Sequence, residues 1–498
     1  MIRIKAKLTL ALLAMGLLTA RAEQVENVAG TLADRVEDLA VTQLTVTGTV
    51  DARDFKFMGQ QLTALQQLDL SGATIEALET VAPVLGTSSS YAAGEVPPMA
   101  FFGHTALNEM TLPETVTSIG EGAFAGCSLL ATINGLENVT SYGDYALSAS
   151  SITSLDLPAT VTTMGTGVAA RCAALTTATV AAPALGEAAF KDCTSLSSVT
   201  LAPSVETLGA EAFAGDAALT SVEFPQGTAL TVIGEKAFMG SGVESINLQD
   251  CDNLKTVGMW ALANTPVQSV VLPQGVQEVG TGAFFYDTQL QQVSLPEGIS
   301  SIGDFLLAGD NSVVVDEAEF LPEGITTVGD YALYNWDQLT SVIVPSSVNY
   351  IGTKAMAGMT GLTTVSAKPE TVPELGDSVW AGVDQPSIPL KVSKSAADSY
   401  RAADQWKEFR IETIKTAVEE LAANEANVKA YFDATMLVVA ASEPIASLEV
   451  YALNGVLLNS LSNAGLTATV DTVNFGGNVY MVNVVLESGA KKVFKLAR

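Results

Sequence analysis

The side chains that most often carry out acid–base or nucleophilic chemistry are scarce in this sequence. His104, in the segment FFGHTAL, is the single histidine, so no catalytic arrangement can draw on a second imidazole. Asp250 and Asp252 flank Cys251, but this segment lacks the glycine and the terminal glutamate of a calcium loop. We therefore predict no catalytic, metal or cofactor site, and a structural role for His104.

Three of the four cysteines share one position of a recurring pattern, seven residues after a glycine. They are Cys127, Cys172 and Cys193. Ser150 and Asp216 stand at the same position elsewhere, which indicates a polar-tolerant edge of the core. Without a CxxC pair, the pattern predicts free thiols and neither a disulfide framework nor a zinc site.

Aromatic residues offer the one hint of a recognition surface. The segments FFYD (284–287) and DYALYNW (330–336) supply the binding candidates Tyr286, Tyr331 and Tyr334. Exposed tyrosines commonly anchor contacts with proteins or sugars. Trp336 falls in the register of the cysteines, so we predict that it is packed in the core.

A repeat must position all of these side chains. Twelve glycines recur at intervals of 21 to 26 residues. The residue before each glycine and the residue four positions after it are apolar in every copy. One copy cannot bury such a face alone, so this period predicts a solenoid of stacked coils in which residues such as Phe213 and Phe238 stack on each other. The glycines are Gly120, Gly143, Gly165, Gly186, Gly209, Gly234, Gly258, Gly280, Gly303, Gly329, Gly352 and Gly376.

The repeat unit is clearest in the segment LPETVTSIGEGAFAGC (112–127). It resembles the repeat of the BspA-like leucine-rich repeat family. Segments 44–55 and 62–75 are similar to that family's N-terminal cap. The resemblance implies a leucine-rich repeat solenoid of short stacked β-strands with irregular or 3-10 returns. It places the cap in residues 23–99 and the repeats with a closing segment in residues 100–410. It also implies a non-enzymatic, adhesin-like surface or secreted protein.

The N-terminal residues have the pattern of a targeting signal. Arg3, Lys5 and Lys7 precede an apolar run, and small residues follow, which predicts a secretory signal peptide over residues 1–22. No other stretch reaches the roughly 18 uninterrupted apolar residues of a membrane span, so we predict no transmembrane segment in the mature chain. The net charge of −30 disfavours nucleic acid as a partner.

The C-terminal part has a different pattern. Residues 411–430 read as a linker, and alternating apolar residues over 431–498 predict a small all-β sandwich of six or seven short strands. The patches VYALNGVLL (450–458) and GGNVYMVNVV (476–485) resemble the sorting domain of type IX secretion. That resemblance implies contact with outer-membrane secretion machinery and a location at the cell surface, at the outer membrane or outside the cell.

Two function classes stay open at this point. One is a binding protein that presents its repeat surface to a protein or glycan ligand from a host or another bacterium. The other is a structural or scaffolding surface protein without a selective ligand. No residue pattern selects the ligand.

Overall fold

The computed structural model describes residues 21–309, 320–414, 428–433, 436–477, 479–489 and 491–498. Residues 1–20 of the predicted signal peptide and residues 415–427 of the predicted linker lie outside the described residues. The chain splits into two compact units. One holds the described residues up to Leu390 together with Ser399–Arg410, and the other holds Lys391–Asp398 and the described residues from Ile411 onward.

The first unit begins with parallel strands and a capped helix. The helix Ala52–Gln61 follows Asp51, whose side chain accepts a hydrogen bond from Arg53 N, and Asp54 completes a capping box. These bonds satisfy backbone N–H groups that a helix start leaves without partners. The elements of this region are Ala22–Asn27, Leu32–Arg35, Gln43–Val50, Ala52–Gln61, Gln67–Asp69, Ala73–Ile75, Leu78–Glu79 and Ser90–Tyr91.

Most of the described coils contribute a strand in the segment before the repeat glycine, often just before a proline, and we call this series the long-strand ladder. Pairing is parallel, with Ser154 opposite Thr177 and Leu157 opposite Val180. Apolar residues of these strands point into the core while Ser and Thr point outward. The ladder comprises Glu109–Thr111, Thr132–Asn134, Ser154–Leu157, Thr177–Val180, Ser198–Leu201, Ser221–Val222, Ser245–Ile246, Ser269–Val271, Gln292–Ser294, Ser341–Val344, Thr364–Ala367 and Pro389–Val392.

A second parallel series, the glycine ladder, consists of two-residue strands; the first, Glu95–Val96, precedes Pro97, and the others precede the repeat glycines. Their backbones pass close: a Cβ placed on Gly143 would lie 2.5 Å from Glu121 N of the preceding coil. Glycine is therefore needed here because the coils nearly touch. The strands are Glu95–Val96, Ser118–Ile119, Ser141–Tyr142, Thr163–Met164, Ala184–Leu185, Thr207–Leu208, Val232–Ile233, Thr256–Val257, Glu278–Val279, Ser301–Ile302, Thr327–Val328, Tyr350–Ile351 and Glu374–Leu375.

The six residues after each repeat glycine form a third series of contacts, the turn ladder. Gly122 N donates to Asp144 O at 2.8 Å, Phe124 N to Ala146 O at 2.9 Å, and Gly126 N to Ser148 O at 2.8 Å. In later coils, too, every second backbone N–H of this turn donates to a carbonyl of the next coil. Turns that look irregular within one coil therefore satisfy their backbone groups through the next coil.

The core is built from columns of residues that occupy equal positions in successive coils. Phe213 and Phe238 stack with ring centroids 5.4 Å apart and planes 7° from parallel, as the repeat register predicts. Phe190 stacks on Phe213 in the same way, at 5.5 Å. All three rings are fully buried. No coil could exclude water from these rings without its neighbours.

A closing segment covers the last coil of the array. Trp406 Nε1 donates to Pro373 O at 3.2 Å, and Tyr400 Oη donates to Pro369 O at 3.1 Å. The amide of Gln405 accepts from Val379 N at 2.8 Å and donates to Gly376 O at 2.7 Å. The short elements around this region are Gln385–Ser387, Ala397–Ala402, Trp406–Glu408 and Arg410–Thr413, and one further 3-10 helix, Leu248–Asp250, interrupts the array earlier.

The second unit is a curled antiparallel sheet. Its long strand Met436–Ala452 pairs first with Val428–Asp433 and then, beyond a register shift between Ala440 and Ile445, with Val479–Leu486. The sequence pattern predicts six or seven short strands, but the described residues form five, because this irregularity bends a strand instead of ending it. The strands are Val428–Asp433, Met436–Ala452, Leu457–Asp471, Val479–Leu486 and Lys491–Ala497.

Candidate functional site

The position seven residues after the repeat glycine is buried in each described coil from Cys127 to Met359, which corrects the prediction of a polar-tolerant edge. Cys127 Sγ donates to Phe101 O at 3.0 Å, and Trp336 Nε1 donates to Leu307 O at 2.6 Å. In both cases the acceptor is the carbonyl four residues after the glycine position of the preceding coil. At Cys127 and Trp336 a backbone carbonyl satisfies the polar atom, whereas Ser241 Oγ at the same position has no hydrogen-bond partner.

Asp216 occupies the same position and is fully buried. Its Oδ1 accepts a hydrogen bond from Cys193 N at 2.8 Å. Burial raises the pKa of Asp216 to about 9, so the carboxyl group is protonated at neutral pH. A neutral acid that faces a backbone amide inside the core serves packing and has no access to a substrate.

The histidine and the cysteines are buried as well. Leu107 N donates to His104 Nδ1 at 3.2 Å, and Nε2 lies 3.1 Å from Leu62 O, as its structural role requires. Burial lowers the pKa of His104. All four cysteines are free and buried, and burial raises the pKa of Cys127 and of Cys251 to about 12. These thiols are not poised as nucleophiles.

The described residues hold no group of three or more His, Cys, Asp or Glu side chains that could bind a metal ion. Within the same part of the chain, no helix has the length and apolar character needed to cross a membrane.

The candidate site is a group of aromatic side chains on the turn ladder, which we call the aromatic cluster. Phe305 and Tyr331 stack at 5.0 Å with planes 4° from parallel, and Tyr334 meets Tyr331 edge-on at 5.5 Å. Lys354 Nζ lies 5.6 Å from the centre of the Tyr331 ring, within the range of a cation–π contact. The cluster comprises Trp260, Phe285, Tyr286, Phe305, Tyr331 and Tyr334.

Phenylalanines join the predicted candidates into one surface. Phe285 lies 5.7 Å from Tyr286 and 6.2 Å from Phe305, so a continuous chain of ring contacts runs from Tyr286 to Tyr331. Trp260 meets Phe285 edge-on at 5.2 Å. Tyr286 is 54% exposed, and the other members are half-buried. The sequence interpretation named the three tyrosines of this cluster and missed its other three rings.

Several cluster residues have left-handed backbone conformations. The φ angle is +55° at Trp260, +57° at Phe305 and +55° at Tyr331, all two residues after a repeat glycine. Equivalent positions in other coils carry Gly122 and Gly167, which adopt this conformation without a steric penalty. The offset from the repeat glycine is the sequence signal that would have grouped Trp260 and Phe305 with Tyr331.

Comparison with known families gives a match over most of the repeat array. The model of the BspA type leucine-rich repeat region matches residues 95–216, 208–314 and 285–400, with six copies. No curated protein sequence matches the chain.

Several solved structures share features with the chain. A leucine-rich repeat protein from Bacteroides ovatus is 19% identical, with 75% of this chain and 84% of that protein covered and a TM-score of 0.48. The pneumococcal vaccine antigen PcpA is 17% identical over 62% of this chain and 80% of its own, with a TM-score of 0.37. A leucine-rich cell surface protein from Faecalibacterium prausnitzii is 20% identical over 69% and 78%, with a TM-score of 0.29.

Proposed function

Because the chain belongs to the BspA-type leucine-rich repeat family, we propose that it is a non-enzymatic binding protein that presents its repeat surface to a protein or glycan ligand. The observation that carries this proposal is the aromatic cluster. Its rings come from four consecutive coils and lie on one face of the array, where Tyr286 is 54% exposed. Aromatic side chains with an apolar body and a polar tip are the residues that most often anchor recognition.

The backbone fixes the position of these rings in each coil. Trp260, Phe305 and Tyr331 lie two residues after a repeat glycine in the left-handed conformation, which Glu211 and Lys236 share at equivalent positions. The conformation is therefore a feature of the repeat. What distinguishes the aromatic cluster is the residue type at this position, which in these coils is aromatic.

We extend the proposal to the route by which the protein reaches its ligand. Residues 1–22 act as a secretory signal peptide, and the C-terminal unit acts as a type IX sorting domain that engages the outer-membrane secretion machinery. The protein then functions at the cell surface or outside the cell. The sequence patches at 450–458 and 476–485 and the separate compactness of this unit support the extension.

An array of matrix proteins and glycans tests the binding role with the purified protein. We expect saturable binding to at least one probe, weakened at least tenfold in Phe305→Gly and Tyr331→Gly. Glycine suits the left-handed backbone at both positions, so these variants remove a ring without new strain. Tyr350→Ala is the matched control, because Tyr350 is a half-buried tyrosine of the glycine ladder. Absence of saturable binding would favour the scaffolding alternative.

A further inference from the structure

Three aromatic rings on the turn ladder abut glycines of the following coil. A Cβ placed on Gly167 would lie 2.6 Å from Tyr145 Cε1, and one on Gly309 would lie 2.6 Å from Tyr286 Cδ2. A Cβ on Gly282 would meet three atoms of the Trp260 ring at once. Each ring therefore covers the place that a side chain of the next coil would fill. We call Tyr145, Trp260 and Tyr286 the ring-on-glycine set.

The glycines leave room for these rings beside the backbone of the next coil. Tyr145 reaches Gly167 with the Cδ1–Cε1 edge of its ring, and Tyr286 reaches Gly309 with Cδ2. Tyr145 is 49% exposed and Tyr286 is 54% exposed, and Trp260 is half-buried. By contrast, Phe305 and Tyr331 stack on each other and cover one another's faces. The rings of Tyr145 and Tyr286 are therefore more accessible to a ligand than those of the stacked pair.

We propose that the ring-on-glycine set binds an extended neutral polysaccharide, a ligand class that rests on the binding function proposed above. The apolar C–H face of a pyranose ring packs against the electron-rich face of an aromatic ring. The exposed rings of Tyr145 and Tyr286 can make this contact without a deep pocket, which the anchoring side chains of a protein partner need. The net charge of −30 disfavours acidic polysaccharides.

Polar groups beside the rings fit the hydroxyl groups of a sugar. A groove of about 340 Å³ adjoins Tyr145 and is also lined by Asp144 and Arg171. Exposed Asn264 lies four residues after Trp260, on the same turn. Tyr145 and Trp260 lie five coils apart, or about 24 Å at the usual spacing of paired strands. A chain of several sugars along the array could reach both.

A substitution at Gly282 tests the proposal without mutating Trp260 itself. In Gly282→Asn, the new Cβ collides with the Trp260 ring and lifts it from the surface. Asparagine tolerates the φ of +61° at this position, and Lys236 and Glu211 adopt the same conformation at equivalent positions. We expect this variant to fold with a thermal midpoint close to that of the parent while its polysaccharide binding falls at least tenfold.

Affinity electrophoresis of the full chain measures this binding, with starch, galactomannan and xyloglucan as neutral probes and heparin as the anionic probe. We expect retardation by at least one neutral polysaccharide, lost in Trp260→Gly, Tyr286→Gly and Gly282→Asn and kept in Tyr350→Ala. Longer oligosaccharides should bind more tightly than short ones. Fluorescence gives a second measurement, because Trp336, Trp380 and Trp406 are at most 2% exposed and a ligand-induced change therefore reports Trp260.

The outcomes separate this inference from the broader proposal. Retention of neutral polysaccharide binding in all three variants would overturn the ring-on-glycine set as its site. Binding to heparin alone, or to a matrix protein without any polysaccharide binding, would overturn the ligand class and leave a binding protein. Failure to bind any probe would remove both proposals.

Discussion

Asp216 should make the stability of the repeat array fall as pH rises. The carboxyl group is fully buried, and its pKa is raised from 3.8 to about 9 by burial. The folded state therefore keeps a proton that the unfolded chain releases above pH 3.8. Stability is fully present below the unfolded pKa and decreases as pH rises, until the change ends near the folded pKa of about 9.

The size of this loss of stability follows from how far the pH rises between the unfolded pKa of 3.8 and the folded pKa of about 9. One pH unit within this range corresponds to about 1.4 kcal/mol per group. Asp216→Asn keeps an acceptor oxygen for Cys193 N but cannot ionise, so its stability should not share this slope. Relative to the parent, we expect the variant to gain about 4 kcal/mol in free energy of unfolding between pH 5.5 and pH 8.5.

Urea unfolding followed by circular dichroism at several pH values measures this difference. Asp377→Asn is the control, because Asp377 is an exposed aspartate outside the core. The pKa of buried Asp287 is also raised by burial, so the parent's total slope includes both groups and only the difference between parent and variant isolates Asp216. A difference that stays constant across this pH range would refute the argument that Asp216 is protonated in the core.

Three further predictions address packing, thiol chemistry and export. Phe213→Ala should lower the free energy of unfolding by about 3 to 5 kcal/mol, because it leaves a cavity beside Phe238; an unchanged urea midpoint would contradict the stacking. Cys127 and Cys251, with pKa values of about 12, should react with a thiol reagent only after denaturant is added, and mass spectrometry should find no disulfide. Deletion of residues 431–498 should leave the protein in the periplasm, and its appearance at the cell surface at normal levels would remove the sorting assignment.

The sequence is sufficient to predict the repeat array, because the determining features are periodic. Glycine spacing sets the coils, and the apolar residue four positions later sets the core column that contains Phe213 and Phe238. The buried position of Asp216 could not be predicted in this way. Its burial depends on a backbone amide of the preceding coil that reaches its carboxyl group, and residue polarity alone points the other way.

The candidate site was predicted in part for a related reason. Tyr286 and Tyr331 are conspicuous in the sequence as tyrosines, whereas Phe305 reads as one more apolar repeat residue. Phe305 stands two residues after Gly303, and only the structure shows that this position of the repeat lies at the surface. Position within the coil thus decides which aromatic residues enter the core: Phe213, four residues after its glycine, is buried, whereas Phe305 is partly exposed.

The amide of Gln405 has a consequence for self-association. Every coil of a solenoid offers unpaired backbone groups to whatever follows it, so an uncovered last coil would be a template on which a second molecule could add end to end. Gln405 uses two of these backbone groups, because it accepts a hydrogen bond from Val379 N and donates one to Gly376 O. The ring of Trp406 packs edge-on against Trp380 of the last coil. A second molecule that added a coil at these backbone groups would first have to displace Gln405 and Trp406.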